Sequence, residues 1–275
     1  MALHDKHLVG NKISKILLIN FMVNSQNIFD RQLLQQNHKR YQRVVADYNF
    51  LYTEIANIIL ENIELQNRAF DAVFEINKIT NFFQENLQYK LFESCSFEMI
   101  CDEENINFPM QKYDLIISNS DMHFINNVPQ FLAKIKSALK PSGIFIASFY
   151  GDENLPELHR AIYQAENEIY GGISLRMPPT IDIKSSAQLF AQVGFKNPVA
   201  DLEKIKVDYE NPLKLLRDIK FSGQGNVMKQ RSRKFFSKKL LQKLLEKYEN
   251  FYDEKTQSYP ATFSVITISG SINNS

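Results

Sequence analysis

The first residue with chemical potential is His123, in the run SNSDMHFINN. It lies just past the apolar run YDLIISNS (Tyr113 to Ser120), which reads as a buried strand. The carboxyl edge of such a strand is where α/β proteins bind ligands, and an imidazole there can accept a proton. Asn119 and Ser120 stand at the same edge. A second feature is the stretch Lys229 to Lys239, with six positive charges interleaved with Phe235 and Phe236. That combination can serve RNA or an acidic partner. The neighbouring acidic run EKYENFYDEK blunts its field, so nucleic acid is the less expected partner. Cys95 and Cys101 are too few for a disulfide scaffold, and with five scattered histidines they make no zinc pattern, so no metal is expected.

Glycine placement restricts the chemistry further. Of nine glycines, only Gly10 precedes Gly143, so residues 11–142 contain none. A backbone that approaches a ligand closely, or takes positive φ, normally uses glycine there. No glycine-rich phosphate or cofactor loop can lie in that span.

The elements that must position these residues follow from periodicity. Apolar residues from Asp30 to Leu65 recur at helical intervals and predict two helices with a break near 47–49. FDAVFEI (Phe70 to Ile76) predicts a strand, and NKITNFFQENL a helix. YKLFE (Tyr89 to Glu93) and FEMICD (Phe97 to Asp102) read as two further strands. Helix VPQFLAKIKSALK (Val128 to Lys140) should stop at Pro141, turn at Ser142-Gly143 and continue as a strand, Ile144 to Phe149. Strands alternating with helices indicate a mostly parallel α/β sheet covered by helices on both faces. After Gly151 come helices ending at Gly171-Gly172 and at Gly194, a strand IKVDY (Ile205 to Tyr209), two more helices and a final strand, ATFSVITISG. The expected organisation is an N-terminal extension (1–27), a helical entry plus core (28–150), an α+β elaboration (151–260) and a last strand with tail (261–275).

The chain has 275 residues, 44% hydrophobic and 23% charged, with formal charge +1. These values are those of ordinary globular proteins and provide no global field for nucleic acid or an anionic membrane. The longest apolar run, ILLINFMV (Ile16 to Val23), is eight residues, short of the roughly 20 that span a bilayer. No transmembrane segment is expected, although peripheral membrane contact stays open. Preceded by lysines, the run faintly resembles a signal peptide, yet no small-residue cleavage site follows.

Several motifs together resemble the class I S-adenosylmethionine-dependent methyltransferase family: IFDR (Ile28 to Arg31), CDEENINF (Cys101 to Phe108), YDLIISNSDMHFINNVP (Tyr113 to Pro129), LKPSGIFIASFYG (Leu139 to Gly151), LPELHRAIYQAENEIYGGISLRMPP (Leu155 to Pro179) and SYPATF (Ser258 to Phe263). Within it they are most similar to the methyltransferase-like assembly factors of respiratory complex I, with the malonyl-carrier-protein O-methyltransferases of biotin synthesis as the neighbouring branch. The resemblance implies a Rossmann-like fold and S-adenosylmethionine as cofactor. It places His123 beside the acceptor pocket and Tyr170, Arg176 and Tyr259 in substrate-facing elements, where Arg176 can pair with a carboxylate or carrier-protein phosphate. It also implies a protein partner, either a complex I subunit or an acyl carrier protein, and a bacterial cytoplasm or mitochondrial matrix as location.

The sequence departs from the family's fingerprint at the cofactor. The family has an acid at the end of its first strand and glycines two, four and six residues later. Here the acid is Glu75, and the glycine positions are Asn77, Ile79 and Asn81. Asparagine tolerates positive φ, but a β-branched Ile79 would be strained and would push a side chain into cofactor space. The family's ribose acid falls nearest Glu93, and Asp102 with Glu103 matches the adenine side. Only three residues separate YKLFE from FEMICD, whereas parallel strands need a crossover of about a dozen. So either the two runs form a hairpin or one has left the parallel sheet. The expected function is therefore a methyltransferase-like protein with a degraded cofactor loop, non-catalytic or weakly active, serving complex I assembly. The alternative is an active methyltransferase in which Glu75, Asn77 and Asp102 hold the cofactor in a shifted pose, acting on a carrier-protein acyl carboxylate or a protein side chain. The complex I branch includes a member that hydroxylates a protein arginine, so the resemblance does not fix the reaction as methyl transfer.

Overall fold

The computed structural model describes residues 27–42, 44–76, 80–100, 106–232 and 236–273. Helices α1 (Arg31–Gln42), α2 (Val45–Tyr48) and α3 (Phe50–Glu64) lead into strand β1 (Phe70–Ile76). Then follow α4 (Phe82–Asn86), β2 (Leu91–Ile100), β3 (Tyr113–Asn119), α5 (Val128–Ala138), β4 (Leu139–Tyr150), α6 (Pro156–Tyr170), α7 (Ile183–Val193), β5 (Lys196–Tyr209), α8 (Pro212–Phe221), α9 (Lys238–Tyr248) and β6 (Tyr259–Ser271). The six strands form one sheet in the order β2-β1-β3-β4-β6-β5. β1 to β4 are mutually parallel, and β6 runs antiparallel between β4 and β5. The strand order reverses direction between β1 and β3, which makes their carboxyl ends the topological switch point.

β1 and β3 are buried almost throughout, as strands covered on both faces must be. Their side chains alternate between two layers. Ile116, Phe145 and Ala147 join Phe131, Leu132 and Ile135 of α5 and Phe190 of α7 in one apolar cluster. Leu115, Ile117, Ile144 and Ile146 face the other way and pack with Ala56, Ile59 and Ile63 of α3. A third cluster joins Tyr150, Phe263 and Val265 to α6 and α9 through Leu158, Ala161, Leu240 and Leu244. The motif IFDR pins the entry. Phe29 is buried against Phe124, Asp30 caps α1 through Leu33 N, and the Arg31 guanidinium donates to the Phe124 carbonyl at 3.2 Å.

Four expectations need correction. YKLFE and FEMICD do not form two strands: β2 is a single strand parallel to β1. Its register explains the misreading. From Phe70 to Ala72, two steps on β1, the partner advances five, from Leu91 to Ser96, so a bulge absorbs residues that read as a turn. The next strand, β3, begins at Tyr113. Secondly, α5 ends at Ala138, and β4 starts at Leu139, before the proline-glycine segment. Pro141 to Gly143 sit in a register shift, where a Cβ on Gly143 would come within 2.9 Å of both Leu139 Cβ and the Lys140 carbonyl. Thirdly, the helix expected in NKITNFFQENL is only α4, followed by a turn of 3-10 helix at Gln88–Lys90. Fourthly, β5 begins nine residues ahead of IKVDY, at Lys196, because β6 offers it a partner along its whole length.

Candidate functional site

At the switch point the side chains of Glu75 on β1 and Asn119 on β3 project toward the α3 face, in phase with Val73 and with Leu115 and Ile117. There they meet Tyr52. Its hydroxyl donates to Glu75 Oε1 at 3.0 Å, and its carbonyl accepts from Asn119 Nδ2 at 3.1 Å. Ser120 Oγ in turn donates to Asn119 Oδ1 at 2.8 Å. Glu75 and Asn119 are fully buried. The strand-end acid is thus engaged by a phenol of the chain itself. Asn81 is exposed before α4, and its side chain makes no capping bond. Asn77, Ile79, Asp102 and Glu103 lie outside the described residues, as does the Glu93 side chain, whose backbone is in the bulged part of β2. The acid at the strand end is thus bonded to Tyr52, and the sequence offers no glycine at 77–81. Among the described residues no group of three His, Cys, Asp or Glu could hold a metal ion.

Beside this cluster a different site is built. His123 lies in the one-turn helix Met122–Phe124, its ring 4.1 Å from that of Phe124 and 5.0 Å from that of Tyr150. Its Nε2 meets Gln224 Oε1 at 2.9 Å, and Gln224 Nε2 donates to the Ser120 carbonyl at 3.2 Å. Burial pushes the imidazole pKa down to about 4, against the favourable Gln224 bond, and nearby His38 adds to the fall. His38, on α1, is lowered to about 4 too, first by burial and then by the Arg31 charge. Its Nε2 is 3.4 Å from Asp121 Oδ1, a carboxylate only 1% exposed.

Arg176 is fixed by Glu166 from α6. The guanidinium Nε donates to Glu166 Oε1 at 2.6 Å, and the Ser174 amide donates to Oε2 at 2.7 Å. Its guanidinium carbon lies 5.1 Å from the Phe236 ring centre, a cation–π distance. A cavity of about 380 Å³ opens between these groups, lined among others by His123, Tyr150, Leu158, Arg176, Phe236 and Phe263. That volume is within the range of small-molecule sites. A second cavity, about 150 Å³, shares His123 and Thr180 with the first and runs under α7.

A Rickettsia prowazekii protein described as a candidate methyltransferase is 33% identical over 159 residues, 57% of this chain and 69% of that one. A family model described as a methyltransferase domain matches residues 77–194. The chain belongs to the class I S-adenosylmethionine-dependent methyltransferase superfamily. Further relatives extend the likeness over more of the chain. The rat mitochondrial protein named arginine-hydroxylase NDUFAF5 is 26% identical over 265 residues, covering 89% of this chain and 77% of that one. A malonyl-[acyl-carrier protein] O-methyltransferase of Methylovorus is 28% identical over 182 residues, covering 66% and 59%. The solved 1,6-didemethyltoxoflavin-N1-methyltransferase of Burkholderia thailandensis has 12% identity and a TM-score of 0.44, covering 88% of each chain, too distant to add to the strand order.

Of the residues singled out in this methyltransferase-fold chain, His123 and Arg176 line one cavity. Tyr170, at the end of α6, is 45% exposed and not among its lining residues; its hydroxyl lies 3.5 Å from Ser237 Oγ. Tyr259 donates to the Glu249 carboxylate. Glu75 and Asn119 come together at the switch point, away from the lining of both cavities. Residue type alone did not reveal Tyr52, Glu166 and Gln224, which work through contacts 23, 10 and 101 positions along the chain. The basic stretch is partly spent locally, since Arg231 lies 3.6 Å from Asp30 and Phe236 faces Arg176.

Proposed function

We propose that the chain is a methyltransferase-like accessory factor that acts by binding, and that it serves the assembly of a respiratory complex I subunit. The observation that carries this reading is the contrast between the strand-end cluster and the neighbouring cavity. The strand-end acid Glu75 is buried and bonded to Tyr52, while the His123–Arg176 cavity is a lined, open site. A partner side chain entering that cavity would find aromatic walls and a fixed guanidinium. The likeness to proteins named arginine-hydroxylase NDUFAF5, across 89% of the chain, supports a protein partner in a bacterial cytoplasm or mitochondrial matrix. Among the described residues no helix is long and apolar enough to cross a membrane. Affinity purification of the intact chain from its native cell, read by mass spectrometry, is expected to retain a complex I subunit, and retention that survives in Arg176→Ala would sink the cavity as the contact.

One observation favours a second reading. Arg176 uses Nε for Glu166 and has no other hydrogen bond within the described chain, which suits it to hold a carboxylate with its terminal amino groups. An active methyltransferase on an acyl carboxylate of a carrier protein, or on a protein side chain, would use it in that way. Such an enzyme would need alignment of the acceptor more than acid-base help. It also requires cofactor binding, which direct titration decides.

A further inference from the structure

Between α6 and α7 the chain runs along the wall of the larger cavity as a strap, residues 172–180. Leu175, Arg176, Met177, Pro178 and Thr180 line that cavity. Both ends of the strap are tied down. The Gly171 amide closes α6 on the Asn167 carbonyl, and Ile181 pairs with Gly151 and accepts from the Asp152 amide at 3.1 Å. Between those ends the described residues make no backbone-to-backbone hydrogen bond, and Pro178 and Pro179 have no N–H to offer. Two side chains from neighbouring segments hold the strap instead. Glu166 accepts from the Ser174 amide at 2.7 Å and from Arg176 Nε at 2.6 Å, while Asn226 Nδ2 donates to the Leu175 carbonyl at 2.9 Å. Met177 packs against the apolar cluster of α6 and α9. Gly172 supplies a second observation. Gly171 takes φ of 65°, but Gly172 has no positive φ, and a Cβ added to it would meet no atom within 4 Å. The closed shape therefore does not require glycine at 172. Its backbone freedom suits a junction between a fixed helix and a strap held by side chains alone.

We infer that residues 172–180 are a hinged lid on the His123–Arg176 cavity, turning at Gly171–Gly172, fastened by Glu166 and Asn226, and carrying Arg176 and Met177 outward together to admit a guest. This deepens the binding role proposed above and rests on it only for the identity of the natural guest. A few residues at an element's end can absorb the φ/ψ change of such a movement. Ser174 and Arg176 share one carboxylate, so both are released in the same event. Closure returns the guanidinium to Glu166 and to the Phe236 ring, which restores the cavity wall around whatever has entered.

The test uses the intact chain, with hydrogen exchange read by nuclear magnetic resonance and hydrogen peroxide as a probe of Met177. Corrected for intrinsic rates, the Ser174 amide and the Arg176 Nε–H should share one opening constant, about a hundredfold larger than that of the core amides of Leu115 to Ile117. Asn226→Asp keeps the oxygen that accepts the Met228 amide but removes the donor to Leu175, and should enlarge the opening constant about fivefold. Gly172→Ala should reduce it about threefold without lowering the thermal midpoint. Peroxide should oxidise Met177 faster in the first variant and more slowly in the second, in the same proportions, while Met122, buried in the core, reacts no faster than in the wild type. Release of the two protons only at the rate of the core amides, two different opening constants, or Met177 oxidation indifferent to both substitutions overturns the inference. None of these readouts needs a partner protein, so their failure is distinct from failure to retain a complex I subunit.

Discussion

Glu166 is 1% exposed, with Arg176 on one oxygen and the Ser174 amide on the other. Removing one member of a buried, hydrogen-bonded charge pair leaves the other uncompensated, which typically costs about 3 kcal/mol. Glu166→Gln should therefore lower unfolding stability by roughly that amount in urea titration, and an unchanged midpoint would remove Arg176 from the list of fixed groups. Burial alone would raise the Glu166 carboxyl pKa, but the Ser174 amide and Arg176 outweigh it and hold the group below its usual range. Its contribution is present above the unfolded carboxylate pKa and fades as the folded form takes up a proton at lower pH. The histidines act over a different window. His38 and His123 have folded pKa values lowered to about 4 from 6.5, so the unfolded chain binds more protons between those values. Stability should be full above pH 6.5 and fall as pH drops toward 4, by up to about 1.4 kcal/mol per pH unit for each histidine. His38→Gln should flatten that slope by one proton, as read from urea midpoints across the same pH range. His123 stood out by its position past a strand end and Arg176 through the family resemblance, and the fold brings both to the wall of one cavity. Gln224 and Tyr52 did not stand out, since a glutamine or tyrosine gains its role only from what folding brings to it.

Elements with a clean period were legible to the residue. β1 is the run FDAVFEI, and α6 ends where the glycines predicted, with Gly171 at φ of 65°. Errors arose where pairing with a neighbour overrides local pattern. Ser94 to Ser96 look like a turn, but β1 supplies hydrogen bonds that carry β2 through them as a bulge. Lys196 to Lys204 are mostly exposed and polar, with no apolar run to mark a strand, yet β6 extends β5 across them. Pro141 to Gly143 show the same competition, and Gly143 permits it by close approach to Leu139 and Lys140. A Cβ there meets backbone oxygen, which cannot swing aside, so Gly143→Ala is expected to cost about 1–3 kcal/mol. Thermal denaturation would measure it, and an unchanged midpoint would mean that the start of β4 is less tightly held than its register indicates.

Across the whole molecule, one sheet carries two candidate sites, the strand-end cluster at Glu75 and the cavity at His123. The fold class, the parallel core and the returning last strand could all be read from alternation of periods. Where the sheet would bind a cofactor could be read only as a set of missing glycines, and the structure adds a reason of its own, the Tyr52–Glu75 bond. Residues of α6 and α8 line the larger cavity with His123 and Arg176, and α7 lines the smaller one with His123. On the proposed reading, a chain that binds through the His123–Arg176 cavity without the methyl donor should still recognise a partner. Calorimetric titration of the wild-type chain with S-adenosylmethionine tests this division most directly. No saturable heat is expected at micromolar concentrations of the cofactor, whereas a micromolar or tighter Kd would contradict the account and restore methyl transfer as the working activity.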